Sequence, residues 1–261
     1  MKLYILILLI LIFLVCLYIV FRKILCKRKF WPKIIHLIYF PWHSSTQTLK
    51  DDPFDFDHTW YKTIKKDNPN YDVKLWTLPK SREFVRKYYP FFEKDIFNVS
   101  RLVMMIDILR ILVVYHYGGI YFQYGSKILK SMNQFLPNNN YSVKLFTETI
   151  ISEEVSNKMK LEPIRNGKPE ELLRVAFAVF SAVPKHPYML ELFKTVIENV
   201  RLYPIRSDYD ILYTTGNAMM STVYDKIGKY RSDIELIGLK ESNKMFSANS
   251  QGSWRTDKFP A

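Results

Sequence analysis

Two charged residues, Asp107 and Arg110, stand inside an apolar run near the middle of the chain. Apart from these two, the side chains from 102 to 114 are apolar on all sides of the predicted helix, which is typical of a buried helix rather than an amphipathic one. A buried charge is costly unless it is paired or hydrogen-bonded, and i,i+3 spacing lets these two side chains pair on one face. The pair could therefore fix the helix as an internal ion pair or take part in a binding site.

The helix that carries this pair has recognisable end signals. Ser100 is a residue type that caps helix starts, so we expect the helix to begin there. Gly118-Gly119 can adopt positive φ, which predicts that the helix stops at this point. The Ile-Tyr-Phe sequence at 120–122 then indicates the start of a short strand. Asp107 and Arg110 thus belong to a predicted helix–turn–strand unit.

This unit resembles the sugar-binding region of the DXD-motif glycosyltransferase family. That family includes the yeast initiating alpha-mannosyltransferases, the inositol-phosphoceramide mannosyltransferases and, more distantly, the large clostridial cytotoxins. Its pattern is Asp-Ile-Leu-Arg, an apolar turn, Tyr-Gly-Gly-Ile-Tyr and then Leu-Asp-x-Asp. The matching residues here are Asp107, Ile108, Leu109, Arg110, Tyr117, Gly118, Gly119, Ile120 and Tyr121. The two aspartates of the DXD motif should fall at 123 and 125, where this chain has Gln123 and Gly125.

Two further segments extend the resemblance from about residue 31 to 254, and it is weakest between 151 and 174. Residues 34–40 resemble the family's opening strand, whose end borders the nucleotide base. Tyr39 takes the place of the family's Trp and could stack on a base; the alternative is that Tyr39 and His36 are core residues. Near the end of the chain, Gln251-Gly252-Ser253-Trp254 resembles the Gly-Ser-Trp signature that closes over the donor.

The resemblance implies a GT-A-type nucleotide-sugar-binding fold, with a mixed central sheet flanked by helices. It implies that Asp107 accepts hydrogen bonds from sugar hydroxyls, that Arg110 faces sugar or phosphate, and that Trp254 donates its indole N–H to the diphosphate. The implied partners are a UDP- or GDP-sugar and a glycan or glycolipid acceptor. No catalytic residue is assigned. The implied sugar- and nucleotide-binding residues are His36, Tyr39, Asp107, Arg110, Tyr121, Ser253 and Trp254.

The family's metal site is degenerate in this chain. Two carboxylates at i and i+2 normally hold Mn²⁺ or Mg²⁺ against the diphosphate leaving group. Gln123 offers one neutral carbonyl oxygen, and Gly125 has no side chain. The family's Asn before its Pro-x-His-Pro segment and the His before its Gly-Ser-Trp signature are also missing. We expect no cofactor, and a divalent metal only if the degenerate site still binds one.

The remaining sequence predicts an alternation of strands and helices, which indicates an α/β fold. We predict a loop at 41–57, a helix over 81–89 capped by Ser81, and one continuous strand region over 172–183. The other predicted helices are 60–66, 188–202 and 219–227, and the other predicted strands are 73–77 and 142–147.

An uncharged apolar run covers residues 3–21. At the helical rise it spans about 28 Å, close to the thickness of a bilayer core. The residues that follow are basic rather than a signal-peptide cleavage site, so we predict a retained single-pass anchor over 1–29 and one glycosyltransferase-like domain over 30–261. The basic flank favours a cytosolic domain, whereas many relatives place theirs in the lumen, so the side of the membrane is left open.

The formal net charge is +13, which suits contact with anionic lipids or acidic glycans. Nucleic acid is not an expected partner, because no nucleic-acid-binding module is present and the basic residues are spread along the chain. Three functions are compatible with the sequence. The chain could be a metal-independent hexosyltransferase, an inactive family member that binds a nucleotide sugar or glycan, or a basic membrane-anchored attachment or scaffold protein.

Overall fold

The computed structural model describes residues 13–15, 17–18, 31–40, 42–43, 48–49, 58–138, 140–150 and 173–248. The chain divides into two compact units, Met1–Phe30 and Trp31–Ala261. Among the described residues, no helix has both the length and the apolar character needed to cross a membrane. Most of the predicted span at 3–21, and all of its basic flank, lie outside the described residues. The anchor, its domain boundary and the membrane location therefore stay predictions.

The second unit contains alternating strands and helices. The strands are β1 (Ile34–Ile38), β2 (Trp42–His43), β3 (Thr48–Leu49), β4 (Asp72–Trp76), β5 (Gly119–Phe122), β6 (Lys127–Ile128), β7 (Val143–Ile150), β8 (Leu173–Val175), β9 (Val179–Ala182), β10 (Ile234–Ile237) and β11 (Phe246–Ser247). The α-helices are α1 (His58–Asp67), α2 (Leu78–Tyr88), α3 (Glu93–Phe97), α4 (Leu102–Tyr117), α5 (Pro187–Leu202), α6 (Asp208–Thr214), α7 (Asn217–Lys226) and α8 (Leu239–Met245).

The described part of the chain forms a seven-stranded mixed sheet in the order β10-β7-β9-β5-β1-β4, with β8 paired to β7. β1 is parallel to β4 and β5, and β10 is parallel to β7. β9 runs antiparallel to both β5 and β7 and so joins the two parallel parts. The predicted α/β fold with a mixed central sheet is confirmed.

Apolar side chains cover both faces of this sheet, as the twofold alternation of a strand requires. On β5, Ile120 and Phe122 pack into one core cluster, whereas Tyr121 packs into the other cluster together with α4. Every residue of α4 from 103 to 114 is buried, so the prediction of a buried central helix is confirmed.

Several predicted boundaries are wrong, each for a local reason. α4 begins at Leu102, so Arg101 rather than Ser100 occupies the N-cap position. Ser100 instead donates a 3.7 Å hydrogen bond to the Met104 sulfur. α2 begins at Leu78, because Pro79 is well tolerated in a first helical turn, and the predicted cap Ser81 is fully buried inside the helix.

Two other predictions missed breaks in the chain. The region 172–183 contains two strands, β8 and β9, separated at 176–178. The predicted loop at 41–57 contains the short antiparallel pair β2 and β3.

The reversal between α4 and β5 depends on two glycines. Gly118 has φ of 67° and Gly119 has φ of 92°, a region that other residues rarely adopt. A Cβ atom on Gly118 would lie 2.6 Å from Cδ of Pro184, and one on Gly119 would lie 2.6 Å from the carbonyl oxygen of Ile34 in β1. The missing side chains therefore allow the helix to end, the chain to reverse and β5 to pair closely with β1.

We expect Gly119→Ala to destabilise the protein by about 2–4 kcal/mol, because it adds strain at positive φ and a clash with backbone. Denaturant unfolding of the purified chain measures this loss. Gly238→Ala is the matched control, since φ there is −64° and a Cβ would meet nothing within 4 Å. A Gly119→Ala protein as stable as the Gly238→Ala protein would contradict the tight reversal.

Candidate functional site

The carboxyl ends of the parallel strands β1 and β5 meet at one edge of the sheet, called here the carboxyl edge. In their register His36 pairs with Tyr121, so Tyr39 and the turn after β5 emerge side by side. In open α/β sheets ligands bind outside the carboxyl ends of the strands. Tyr39 and the degenerate DXD positions therefore lie at the carboxyl edge of the sheet.

Helix α4 runs back along β5 from the glycine turn, which brings Asp107 to the level of the carboxyl end of β5. Four strand residues and nine helical residues both cover about 13 Å, so Asp107 lies beside the end of β5. Hydrogen bonds also link α4 and the turn after β5 to one shared segment, residues 177–178. Arg110 Nη1 donates to the carbonyl oxygen of Phe177 at 2.8 Å, and the Gln123 amide donates to that of Ala178 at 2.7 Å.

Asp107 and Arg110 form the predicted ion pair, with 2.9 Å between Oδ1 and Nη2. Both side chains are buried. The second carboxylate oxygen, Oδ2, accepts a 2.9 Å hydrogen bond from the Thr215 hydroxyl at the end of α6. A buried carboxylate is stable only when such partners compensate for its lost hydration. The pair thus connects the middle of α4 to the turn between α6 and α7.

Aromatic rings enclose the guanidinium of Arg110. Its central carbon lies 4.9 Å from the ring centroid of Tyr121 and 4.5 Å from that of Phe177. Rings at these distances attract a cation and hold its plane in place. Arg110 Nε is buried and has no hydrogen-bond partner among the described residues. Tyr121, a predicted ligand-binding residue, is itself almost fully buried and contacts Arg110 here.

Burial raises the pKa of Asp107 to about 6, because a carboxylate buried away from water is less stable than the neutral acid. The Arg110 charge and the Thr215 hydrogen bond oppose this shift, since each stabilises the ionised form. The carboxylate is therefore ionised at neutral pH and gains a proton under mildly acidic conditions.

Aromatic side chains surround the degenerate motif. The Tyr124 ring lies between Tyr39 and Trp60, with centroid distances of 4.8 and 4.7 Å. Gly125 has φ of 80°, so the turn has a conformation that favours glycine. Gln123 supplies a single neutral oxygen to this turn, which is a poor donor set for a hard divalent cation. The residues present do not fit the family's metal, and no group of three or more His, Cys, Asp or Glu that could hold one occurs within the described ranges.

His36, another predicted binding residue, has the environment of a core residue. It is fully buried, its Nδ1 accepts a 3.0 Å hydrogen bond from Trp76 Nε1, and its Nε2 lies 2.8 Å from the carbonyl oxygen of Gly118. Because the indole can only donate and the carbonyl can only accept, the ring is neutral with its proton on Nε2. Burial lowers its pKa to about 4. Both nitrogens are used, so the geometry supports the alternative that His36 is a core residue, whereas Tyr39 stays partly exposed.

Ser253 and Trp254 lie outside the described residues, so their predicted closure over a donor stays a prediction. Sequence reasoning missed three contributors to the site: the hydroxyl of Thr215, the carbonyl groups at 177–178 and the ring of Trp60. One signal was available for the first, because Thr215-Gly216 resembles the family's Thr-Gly-Pro turn, with Asn217 in place of the proline. The backbone carbonyls have no sequence signature.

Comparison with known proteins supports the resemblance. Residues 56–142 match the family described as "Glycosyltransferase sugar-binding region containing DXD motif". The chain is 24% identical over 237 residues to mannosyl phosphorylinositol ceramide synthase CSH1 of Saccharomyces cerevisiae, covering 86% of this chain and 53% of the relative. It is 26% identical over 163 residues to inositol phosphoceramide mannosyltransferase 2 of Schizosaccharomyces pombe, covering 61% of this chain and 39% of the relative.

Among solved structures, the PaToxG glycosyltransferase aligns with a TM-score of 0.47 at 14% identity, covering 77% of this chain and 72% of that chain. The chain spans about half the length, or less, of the curated relatives it matches. The family match at 56–142 and the curated relatives confirm the predicted resemblance to the DXD-motif glycosyltransferases.

We expect the free energy of unfolding of the wild type, relative to Asp107→Asn, to fall as pH rises from about 4 to 6 and to level off above 7. The folded-state pKa of about 6 lies above the ordinary value of 3.8, so folding favours the protonated acid, and that stability is lost as the pH passes the folded pKa. The slope should not exceed about 1.4 kcal/mol per pH unit.

Asp233→Asn is the control for this series. Hydrogen bonds from Arg231 and His186 hold the Asp233 pKa at about 2, against burial, so its contribution should be constant above about pH 5. A wild-type difference from Asp107→Asn that is flat between pH 4 and 7 would contradict the raised pKa.

Proposed function

We propose, because the chain carries the sugar-binding region of the DXD-motif glycosyltransferases, that its second unit is a GT-A-type domain that binds a nucleotide sugar at the carboxyl edge and transfers a hexose without a divalent metal. The donor is a UDP- or GDP-sugar. The acceptor is a glycan or glycolipid, and the names of the relatives favour mannose as the sugar and an inositol phosphoceramide as the acceptor. Residues 1–29 hold the domain at a membrane.

One observation carries this proposal. Arg110, which pairs with Asp107, and the Gln123 amide of the degenerate motif both donate hydrogen bonds to backbone carbonyl groups of one segment, 177–178. This shared segment supports the proposal that Asp107 and Arg110 contact the sugar while the turn after β5 lies near the diphosphate. Asp107 accepts from Arg110 and Thr215 and so uses about half of the roughly four acceptor positions of a carboxylate. The carboxylate therefore retains acceptor capacity for sugar hydroxyls.

The transfer forms a bond between an acceptor hydroxyl oxygen and the anomeric carbon and breaks the bond to the nucleoside diphosphate, which leaves with added negative charge. The hydroxyl proton is released to the departing diphosphate or to solvent. In this proposal Lys or Arg side chains stabilise that charge in place of a metal, because preorganised cations at a leaving group lower the barrier. Asp107 and Arg110 hold the hexose, Tyr39 borders the base, and Ser253 and Trp254 close over the diphosphate. No described residue is assigned as catalytic base or nucleophile.

The second candidate is an inactive family member that binds a nucleotide sugar or a glycan. The packing of Tyr124 between Tyr39 and Trp60 favours it, because an aromatic surface at the carboxyl edge suits sugar or base stacking without catalysis. Turnover of UDP- and GDP-sugars by the purified chain, with and without Mn²⁺, separates the candidates. Binding without turnover supports the inactive member. Salt-sensitive heparin binding without any nucleotide binding supports the basic attachment or scaffold protein instead.

We expect Asp107→Ala to weaken nucleotide-sugar binding by about 1–3 kcal/mol, the usual worth of a hydrogen bond to a charged group, and to leave binding of the bare nucleotide unchanged. Titration calorimetry measures both affinities. Glu235→Ala is the matched control, because it removes a partly buried carboxylate that pairs with Lys144 at 3.4 Å in the sheet. Equal losses for both ligands, together with a fall in Tm larger than the control shows, would identify the pair as purely structural.

We expect Mn²⁺ to leave the nucleotide affinity of the wild type unchanged and to raise that of a Gln123→Asp, Gly125→Asp double variant at least tenfold, or about 1.4 kcal/mol. The two new carboxylates would restore the i,i+2 metal ligands at the end of β5. Gln123→Asn with Gly125→Asn is the control, because asparagine imposes a similar strain at a φ of 80° and adds no charge. A folded Asp variant with unchanged, metal-independent affinity would show that positions 123 and 125 do not face the donor.

A further inference from the structure

A second surface of the Trp31–Ala261 unit lies at the C-terminal end of α4. Here α5 and the segment after α2 enclose an open groove of about 480 Å³, called here the aromatic groove. Its apolar lining comprises Tyr89, Phe92, Tyr115, Leu190, Phe193 and Ile197. These residues neither lie at the carboxyl edge nor contact Asp107 or Arg110, so the groove is separate from the proposed donor site.

Large apolar side chains are exposed beside the groove. Leu202 lines the groove and is 62% exposed. Phe91 (92% exposed) and Tyr88 (42%) are the chain neighbours of the lining residues Phe92 and Tyr89, and the three exposed residues are called here the rim. Phe92 packs inward against Phe193, with 5.1 Å between ring centroids, and the adjacent Phe91 is left in solvent. Contiguous apolar exposure of this kind marks an interaction surface rather than a scattered surface residue.

An ion pair joins two helices beside the groove. Arg201 binds Asp95 with two hydrogen bonds of 2.9 and 2.6 Å, which join α5 to α3. Such a forked contact fixes orientation as well as distance.

Two lysines on this surface lie over aromatic rings rather than beside carboxylates. The Lys185 ammonium lies 4.6 Å from the Tyr115 ring centroid and 5.4 Å from that of Tyr89, and the Lys87 ammonium lies 5.2 Å from that of Tyr88. Within the described part of the chain, neither lysine forms an ion pair with a carboxylate.

Most acidic side chains of the surface are already neutralised. Glu93 pairs with Arg86, Asp95 with Arg201 and Glu191 with Lys194. Glu198 also lines the groove and, among the described residues, forms no such ion pair. The surface thus presents apolar rings together with positive charge that lacks an internal counterion.

We propose that the aromatic groove and its rim dock the Trp31–Ala261 unit on the surface of an anionic lipid bilayer. Aromatic rings insert at the level of the headgroups, and lysines beside them bind lipid phosphates while their alkyl chains stay in apolar surroundings. A second copy of this chain is the poorer occupant, because each copy carries a net charge of +13 and the same uncompensated lysines would face one another. This docking does not depend on the proposed transferase activity.

The test uses the full chain reconstituted with lipid vesicles and reads single positions, because residues 1–29 could by themselves bind vesicles. Cys16 and Cys26 are the two native cysteines and are replaced by serine. An environment-sensitive nitrobenzoxadiazole probe is attached at Phe91→Cys. The matched control position is Tyr230→Cys, since Tyr230 is 76% exposed and has a lysine ammonium 5.1 Å from its ring but, unlike Phe91, is not next to a residue that lines the groove.

With vesicles that contain phosphatidylserine, we expect brominated lipids to quench the probe at 91 at least about twice as strongly as the probe at 230, because only the former enters the headgroup region. Vesicles of phosphatidylcholine alone, high salt, or the Lys87→Gln, Lys185→Gln double variant should reduce quenching at 91 to the control level. Equal quenching at both positions in the phosphatidylserine vesicles would overturn the proposal. So would a probe at 91 that is shielded without vesicles in a dimer resolved by light scattering, which would identify a second copy as the occupant.

Discussion

The buried ion pair of Asp107 and Arg110 is the interaction on which the site depends. Neither charge could occupy the middle of an apolar helix alone, and each side chain is compensated by a different part of the fold. Asp107 receives the Thr215 hydroxyl from the end of α6, whereas Arg110 donates to the carbonyl oxygen of Phe177 between β8 and β9. Removal of one charge would leave the other uncompensated in the core. The pair therefore acts as a junction between three segments that are distant in sequence.

The glycine turn makes this junction useful to a binding site. Because Gly118 and Gly119 reverse the chain without side chains, α4 and β5 lie antiparallel, and the charged middle of the helix reaches the level of the strand's carboxyl end. The same turn supplies the carbonyl oxygen that faces His36, whose ring joins β1 to Trp76 in β4. The apolar core and the carboxyl edge thus share one set of backbone constraints.

The middle and the C-terminal end of α4 offer different chemistry. At the carboxyl edge, the compensated carboxylate and the aromatic turn around Tyr124 suit a neutral, hydroxyl-rich ligand better than a divalent cation, since the degenerate motif has no carboxylate and Gln123 offers only a neutral amide oxygen. Near the C-terminal end, where Lys185 lies over Tyr115, this lysine and the exposed Phe91 suit a charged apolar boundary. Under the proposed function, the first region would contact the sugar and the second would bring the domain to the membrane.

The sequence by itself determined the buried helix, its termination at the glycines, the i,i+3 pairing of Asp107 with Arg110 and the alternation of strands and helices that indicates an α/β fold. Each of these follows from local periodicity or from residue types with few conformational options. Only the tertiary structure decided the rest. His36 is a core residue because Trp76 and a carbonyl group take both of its nitrogens, and Thr215 joins the site because two helices far apart in sequence meet at Asp107. Such partners lie 40 to 108 residues apart along the chain. Local pattern carries no information about them, because they are selected by packing across the sheet.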